Sequence, residues 1–149
     1  MAKEDFRFVQ RLRVRWAEVD QQGIVFNGHY LTYFDVGVTE YYRAIGQPYP
    51  GALAGTGNDL FARKAEIEYH APALYDDWLD VCVRVARIGR TSFEFRLEIY
   101  REKTLLISGA LVYVNADVAT RKAAPVPAFL REAFIGYETL PPQEAGTAR

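Results

Sequence analysis

Asp20 is the residue around which chemistry can be built. It follows a stretch of alternating apolar residues, with Gly23 three positions later, Asn27 seven positions later and Gly28 next to it. A carboxylate held there can attack an acyl carbon or activate a water against it. Asn27 and Gly28 stand where a helical pattern begins. The first N–H groups of a helix lack intrahelical acceptors and carry the positive end of its dipole. An acyl carbonyl near Asn27 or Gly28 is polarised there, which is what attack on an acyl carbon requires. The plainer reading is that an aspartate ahead of a glycine forms a turn, and that Asn27 caps the helix through its side chain. Glu40 is a second carboxylate, in the middle of the helical pattern. No serine nucleophile motif accompanies His29, which reads as a surface or pocket-edge histidine. His70 reads as a polar face residue, and Asp76 and Asp77 as turn residues at a sheet edge.

The elements that must position these groups follow from periodicity. Between Phe6 and Trp16 apolar residues take even positions, while Arg7, Arg11, Arg13 and Arg15 take odd ones, a period of two that marks a strand. Asp20-Gln21-Gln22-Gly23 breaks it as an ordered loop. Leu31, Phe34, Val38, Tyr41 or Tyr42, and Ile45 then recur at helical spacing, and Gly46 stands at a left-handed C-terminal cap. Aromatic bulk predicts burial on most sides of this helix, and Gly37 a close approach. Pro48, Pro50, Gly51, Gly55 and Gly57 make the stretch from Gln47 to Asn58 an irregular excursion suited to a lid or pocket wall. Alternating runs follow at Phe61 to Tyr69, Leu79 to Val85 and Phe93 to Ile99, then a nearly continuous apolar run from Leu105 to Asn115, as in a central strand. A terminal helix is predicted after Pro127. One strand, one long helix and four further strands suit an α+β domain over residues 1–140, with a disordered tail from Pro141 to Arg149.

The balance of charge restricts partners. Eighteen Lys and Arg against nineteen Asp and Glu give a net charge of -1, with no basic run that would hold nucleic acid. Cys82 is the one cysteine, so it has no internal disulfide partner and reads as core packing. Met1 to Phe8 lacks the pattern of a secretory leader, and no apolar run reaches membrane-spanning length. The cytoplasm is the expected location. No clustered His or Cys points to a metal.

The segment Val14-Arg15-Trp16-Ala17-Glu18-Val19-Asp20-Gln21-Gln22-Gly23-Ile24-Val25-Phe26-Asn27-Gly28-His29-Tyr30 resembles the signature of the 4-hydroxybenzoyl-CoA thioesterase family of hot-dog proteins. In that pattern an aspartate follows the first strand, a glycine comes three residues later, and Asn, His or Tyr comes seven residues after the aspartate. Asp20, Gly23 and Asn27 fill those places. The likeness continues at Tyr33-Phe34-Asp35, at Thr39-Glu40-Tyr41-Tyr42-Arg43, from Tyr69 to Leu79, and at Gly89-Arg90-Thr91-Ser92-Phe93, in register over about residues 6 to 120. The resemblance implies a hot-dog fold, an antiparallel sheet wrapped around one long helix, and an enzyme that hydrolyses a small acyl-CoA to free acid and CoA. Asp20 is then the nucleophile or general base and the Asn27 backbone N–H holds the carbonyl, with Gly23 and Gly28 in the substrate-binding loop. Arg87, Arg90 and Ser92 flank the hairpin expected near the pantetheine and nucleotide arm; the plainer reading is a solvated hairpin tip. The family uses no metal or redox cofactor, and coenzyme A belongs to the substrate. An acyl carrier protein is the other thiol carrier considered. The 4-hydroxybenzoyl-specific branch has Tyr where this chain has Asn27, and branches with His or Asn there act on diverse acyl groups.

Two rival functions are a hot-dog hydratase or dehydratase and a non-catalytic protein that binds acyl-CoA or acyl carrier protein. The first usually carries His four or five residues after the aspartate, where this chain has Ile24 and Val25. An open antiparallel sheet with free edges predicts a homodimer or homotetramer, and the resemblance puts the active site between subunits.

Overall fold

The computed structural model describes residues 2–144. The first alternating run becomes strand β1 (Phe8–Arg13), shorter than its apolar pattern. It stops because the Val14 N–H donates to the Asp77 carbonyl at 2.9 Å and Trp16–Glu18 closes a 3-10 turn. Helix α1 (His29–Ala44) follows, and Gly46 sits beyond it at φ +79°, the left-handed cap expected there.

The buried stripe of α1 is Tyr30, Tyr33, Phe34, Gly37, Val38, Tyr41 and Tyr42. Leu31, expected inside, is 44% exposed. Tyr30 and Tyr33 turn inward instead because their hydroxyls find partners there, the Ala73 N–H at 3.0 Å and the Glu18 carboxylate at 2.9 Å. The side of the helix carrying Leu31, Asp35 and Val36 is open, so burial is confined to one broad face rather than most of the circumference.

The remaining elements are β2 (Asn58–Tyr69), β3 (Trp78–Ile88), β4 (Ser92–Arg101), β5 (Thr104–Asp117), α2 (Ala128–Tyr137) and a two-residue β6 (Gln143–Glu144). Their order across the sheet is β1-β3-β4-β5-β2, antiparallel throughout, with β6 parallel to β3 at Arg87 and Ile88, past the Val83 end of β1. This is the α+β hot-dog arrangement. Val81, Val83, Val85, Phe93, Phe95, Leu97 and Ile99 are at most 1% exposed and form the floor beneath α1. Cys82, on the opposite face of β3, packs with Phe6 and Tyr100 as a small second cluster. The tail expected to be disordered from Pro141 is placed as far as the β6 pairing, and residues 145–149 lie outside the described residues. No helix among the described residues is long and apolar enough to cross a membrane.

Candidate active site

Residues 19–25 fold into a tight loop because Val19 bridges Val25 and Ile24 bridges Leu74. Inside it the Asp20 N–H donates to the Ile24 carbonyl at 2.9 Å and the Gly23 N–H to the Asp20 carbonyl at 3.0 Å. Gly23 has φ +78°, a conformation that strains any side chain. The Gln22 N–H donates to Asp20 Oδ1 at 2.8 Å, which fixes the carboxylate. Among the described residues nothing donates to its Oδ2, and the half-buried Asp20 lines a cleft of about 610 Å³.

Asn27 faces the same cleft. The helix cap is Gly28, with no side-chain capping bond, so Asn27 does not cap α1. Among the described residues the N–H groups of Asn27 and Gly28 have no acceptor, as the start of a helix predicts. Asp20 and Asn27 thus line one cavity, and the Asn27 N–H lacks an acceptor among the described residues.

Glu18 holds this geometry in place. Its carboxylate accepts from the Arg15 N–H at 2.8 Å, the Arg15 guanidinium at 2.9 Å and the Tyr33 hydroxyl at 2.9 Å, while its carbonyl accepts from the Phe26 N–H at 2.9 Å. The strand end, the loop and α1 are tied through this one residue, by its side chain and its carbonyl. Burial pushes the Glu18 carboxyl up, but the Arg15 N–H, the Arg15 guanidinium and the Tyr33 hydroxyl together hold it below its usual range.

A family model described as the thioesterase superfamily matches residues 22–108, which includes Gly23, Asn27 and all of α1. The chain belongs to the thioesterase superfamily. It is a thioester hydrolase on that ground. A relative from Aquifex aeolicus is 33% identical over 95 residues, 64% of this chain and 73% of its own. The acyl-CoA thioester hydrolase YbgC of Escherichia coli is 29% identical over 119 residues, 78% of this chain and 87% of its own. The crystal structure of Slr0204, a 1,4-dihydroxy-2-naphthoyl-CoA thioesterase from Synechocystis, superposes with a TM-score of 0.79 over 85% of this chain and 94% of that one. At 22% identity the last shares the fold.

Within this superfamily member the expected site residues fall into two groups. Asp20 and Asn27 line one cleft, while Gly23 and Gly28, their neighbours in the chain, do not line it. Arg90 and Ser92 do not join them: Ser92 pairs with Val114 and Tyr69 with Ile107, seven β5 residues apart and about 23 Å along the strand. Their end of the sheet carries a second cleft, about 550 Å³, lined by Phe61, Arg63, Thr91, Val114 and Arg121 among others. Glu40 is paired with Arg43 within the helix and does not line the Asp20 cleft. Asp76 pairs with Arg13 and Asp77 with Arg101, as turn residues at the sheet edge.

Sequence reasoning missed His70, which lines the cleft and meets the Ser108 hydroxyl at 2.8 Å, and the cleft residues Tyr30 and Tyr69. It also missed Glu18, whose spacing from Arg15 is that of a capping pair. Among the described residues no group of three or more His, Cys, Asp or Glu is placed to hold a metal.

Proposed function

We propose that the protein hydrolyses small acyl-CoA thioesters, with Asp20 as nucleophile or general base and the Asn27 N–H as an oxyanion donor. The observation that carries this is the unengaged Oδ2 of Asp20, which shares its cleft with Asn27, a residue whose backbone N–H lacks an acceptor. As nucleophile, Asp20 adds to the thioester carbon and expels the CoA thiolate, and water then opens the acyl anhydride. As base, it takes a proton from the water that attacks and passes it to the departing sulfur. Either route puts negative charge on the carbonyl oxygen, where the helix N-terminus stabilises it. No metal or redox partner is needed, and the expected setting is the cytoplasm.

The proposed working unit is a homodimer, or a homotetramer built from it. β2 is one of the two outer strands of the sheet, and most of its residues are exposed. Two copies joined antiparallel along β2 would bring the Asp20 end of one chain to the Arg90 end of the other. Arg90 and Ser92 would then serve the nucleotide arm at the partner's Asp20, and phosphates explain the demand for cations at that rim. An acyl carrier protein is the alternative thiol carrier, since it presents pantetheine without the nucleotide.

The test is Asp20→Asn, measured by thiol release from a panel of acyl-CoAs. Asparagine keeps the turn bond from the Gln22 N–H but removes the charge. The expected result is a fall in kcat of several orders of magnitude with a small change in KM. A folded Asp20→Asn protein with near wild-type turnover would sink the assignment.

A further inference from the structure

Between β2 and β3 the chain turns over one wall of the Asp20 cleft. From Ala71 to Trp78 only Ala73 is buried, and Leu74 and Tyr75 are exposed. A segment with so little packing is held by its polar bonds. Those bonds run to three segments that carry the site. The Val25 N–H donates to the Ala73 carbonyl at 2.9 Å and Ile24 bridges Leu74, so the Asp20 loop leans on the turn. The Ala73 N–H donates to the Tyr30 hydroxyl at 3.0 Å, in the first turn of α1. Where the chain leaves β1, the Val14 N–H donates to the Asp77 carbonyl at 2.9 Å and the Asp76 N–H to the Val14 carbonyl at 3.2 Å. The loop that carries Asp20 and the helix start that follows Asn27 are therefore placed relative to each other through one short turn.

Asp77 locks that turn. Its Oδ2 accepts from the Leu74 N–H at 2.8 Å and from the Arg101 guanidinium at 2.8 Å. The same guanidinium donates a longer bond, 3.4 Å, to the carbonyl of Pro72, a residue of the Asp20 cleft. Arg101 is the last residue of β4, paired with Thr104 of β5, so it reaches the turn from the middle of the sheet. The Asp77 side chain is 18% exposed, which leaves the pair less screened than an open one.

We propose that Arg101, acting through Asp77, is a positioning residue for the reaction, because it fixes the turn that sets the Asp20 carboxylate against the Asn27 N–H. The inference rests on the thioesterase reading above. Arg101 does not line the cleft, so its effect falls on geometry and not on substrate contact. A misplacement of about 1 Å between reacting groups costs on the order of 100-fold in rate. Lysine keeps the charge on a flexible stem without the planar fork, so it restores only part of the hold.

The test compares Arg101→Met, Arg101→Lys and Asp77→Asn with wild type in the full chain, by thiol release from acyl-CoAs and by hydrogen exchange of backbone amides. Arg101→Met should lower kcat about tenfold or more, with KM changed by less than about twofold, and Arg101→Lys should recover part of the loss. Asp77→Asn combined with Arg101→Met should cost less than the product of the two single effects, since both act through one ion pair. Exchange should quicken at the Asp20, Gly23 and Val25 amides, whose acceptors lie in the loop and the turn, while β3 and β4 keep their protection. If Arg101→Met does not fold, Arg101→Lys and Asp77→Asn decide on the same readings. An unchanged kcat, or a loss of kcat accompanied by quicker exchange across the whole sheet, would overturn the proposal. Exchange is read without substrate. A wild type that cleaves no acyl-CoA, with a loop that still loosens in Arg101→Met, would count against the thioesterase reading and not against the brace.

Discussion

Glu18 and Glu138 are buried carboxyls whose surroundings push them in opposite directions. Glu138 stands past α2 against β3, where its Oε2 accepts from the Tyr41 hydroxyl at 2.6 Å and the Val85 N–H at 3.1 Å, while Oε1 is unpaired. Burial raises it above its usual 4.5, and these two bonds offset only part of that. Its folded form therefore holds a proton that the unfolded chain releases near pH 4.5, so its contribution is complete below that pH and is lost as pH rises through the folded value. Glu18 is lowered, so its contribution is present above 4.5 and is lost as pH falls through its folded value. Urea unfolding from about pH 2.5 to 8 should show this as opposite changes. Glu138→Gln should flatten a decline in stability toward high pH, and Glu18→Gln should flatten a decline toward low pH, each pKa unit being worth about 1.4 kcal/mol. The same slopes in both variants would refute the assignment. The loop around Asp20 was legible because its spacing is local. His70 and Tyr69 were not read as cleft residues, because the bridge from Ile24 to Leu74 that folds the loop against their turn is a long-range contact.

Elements were legible where the pattern is short-range. The α1 cap at Gly46, the start of α2 after Pro127 and the β3–β4 and β4–β5 hairpins follow from spacing alone. The stripe of α1 was misread at Leu31 because hydrophobicity ranks leucine above tyrosine, and only the partners Ala73 and Glu18 make Tyr30 and Tyr33 the inward residues. Gly37 is the sharpest test of how the helix sits. A Cβ there would lie 2.8 Å from Val81 Cγ1 and 2.9 Å from Val83 Cγ2, both closer than carbon atoms tolerate. Alanine is the better helix former by about 1 kcal/mol, but overpacking a core costs about 1–3 kcal/mol. The clash should win. Gly37→Ala is expected to lower unfolding free energy, and adding Val81→Ala should cost less than the sum of the two single changes, because the second opens the space the first needs. Strict additivity would mean that the helix does not rest on β3 at this point.

At the scale of the whole molecule, one chain carries the two halves of the expected substrate site at opposite ends of its sheet. In the proposed dimer a two-fold axis across β2 would reunite them, and an isologous interface would do so twice. Because each reunited site takes Asp20 from one chain and Arg90 from the other, complementation between two impaired variants separates a shared site from a self-contained one. Asp20→Asn lacks the reacting carboxylate, and Arg90→Ala should bind CoA thioesters weakly. In a mixed dimer, one site combines both defects and the other has neither. Random assortment makes half the dimers mixed, so about a quarter of all sites should be intact. Unfolding the two variants together and refolding them should restore about a quarter of wild-type turnover, at a substrate concentration where Arg90→Ala alone gives little. Sites contained within single chains would give the average of the two parents, because no chain in the mixture then holds both residues. Adding excess Asp20→Asn to wild type is the control for subunit exchange, since a shared and a self-contained site give the same result there. Turnover per wild-type chain should stay near its original value, since every mixed dimer retains one Asp20 with an Arg90 opposite it.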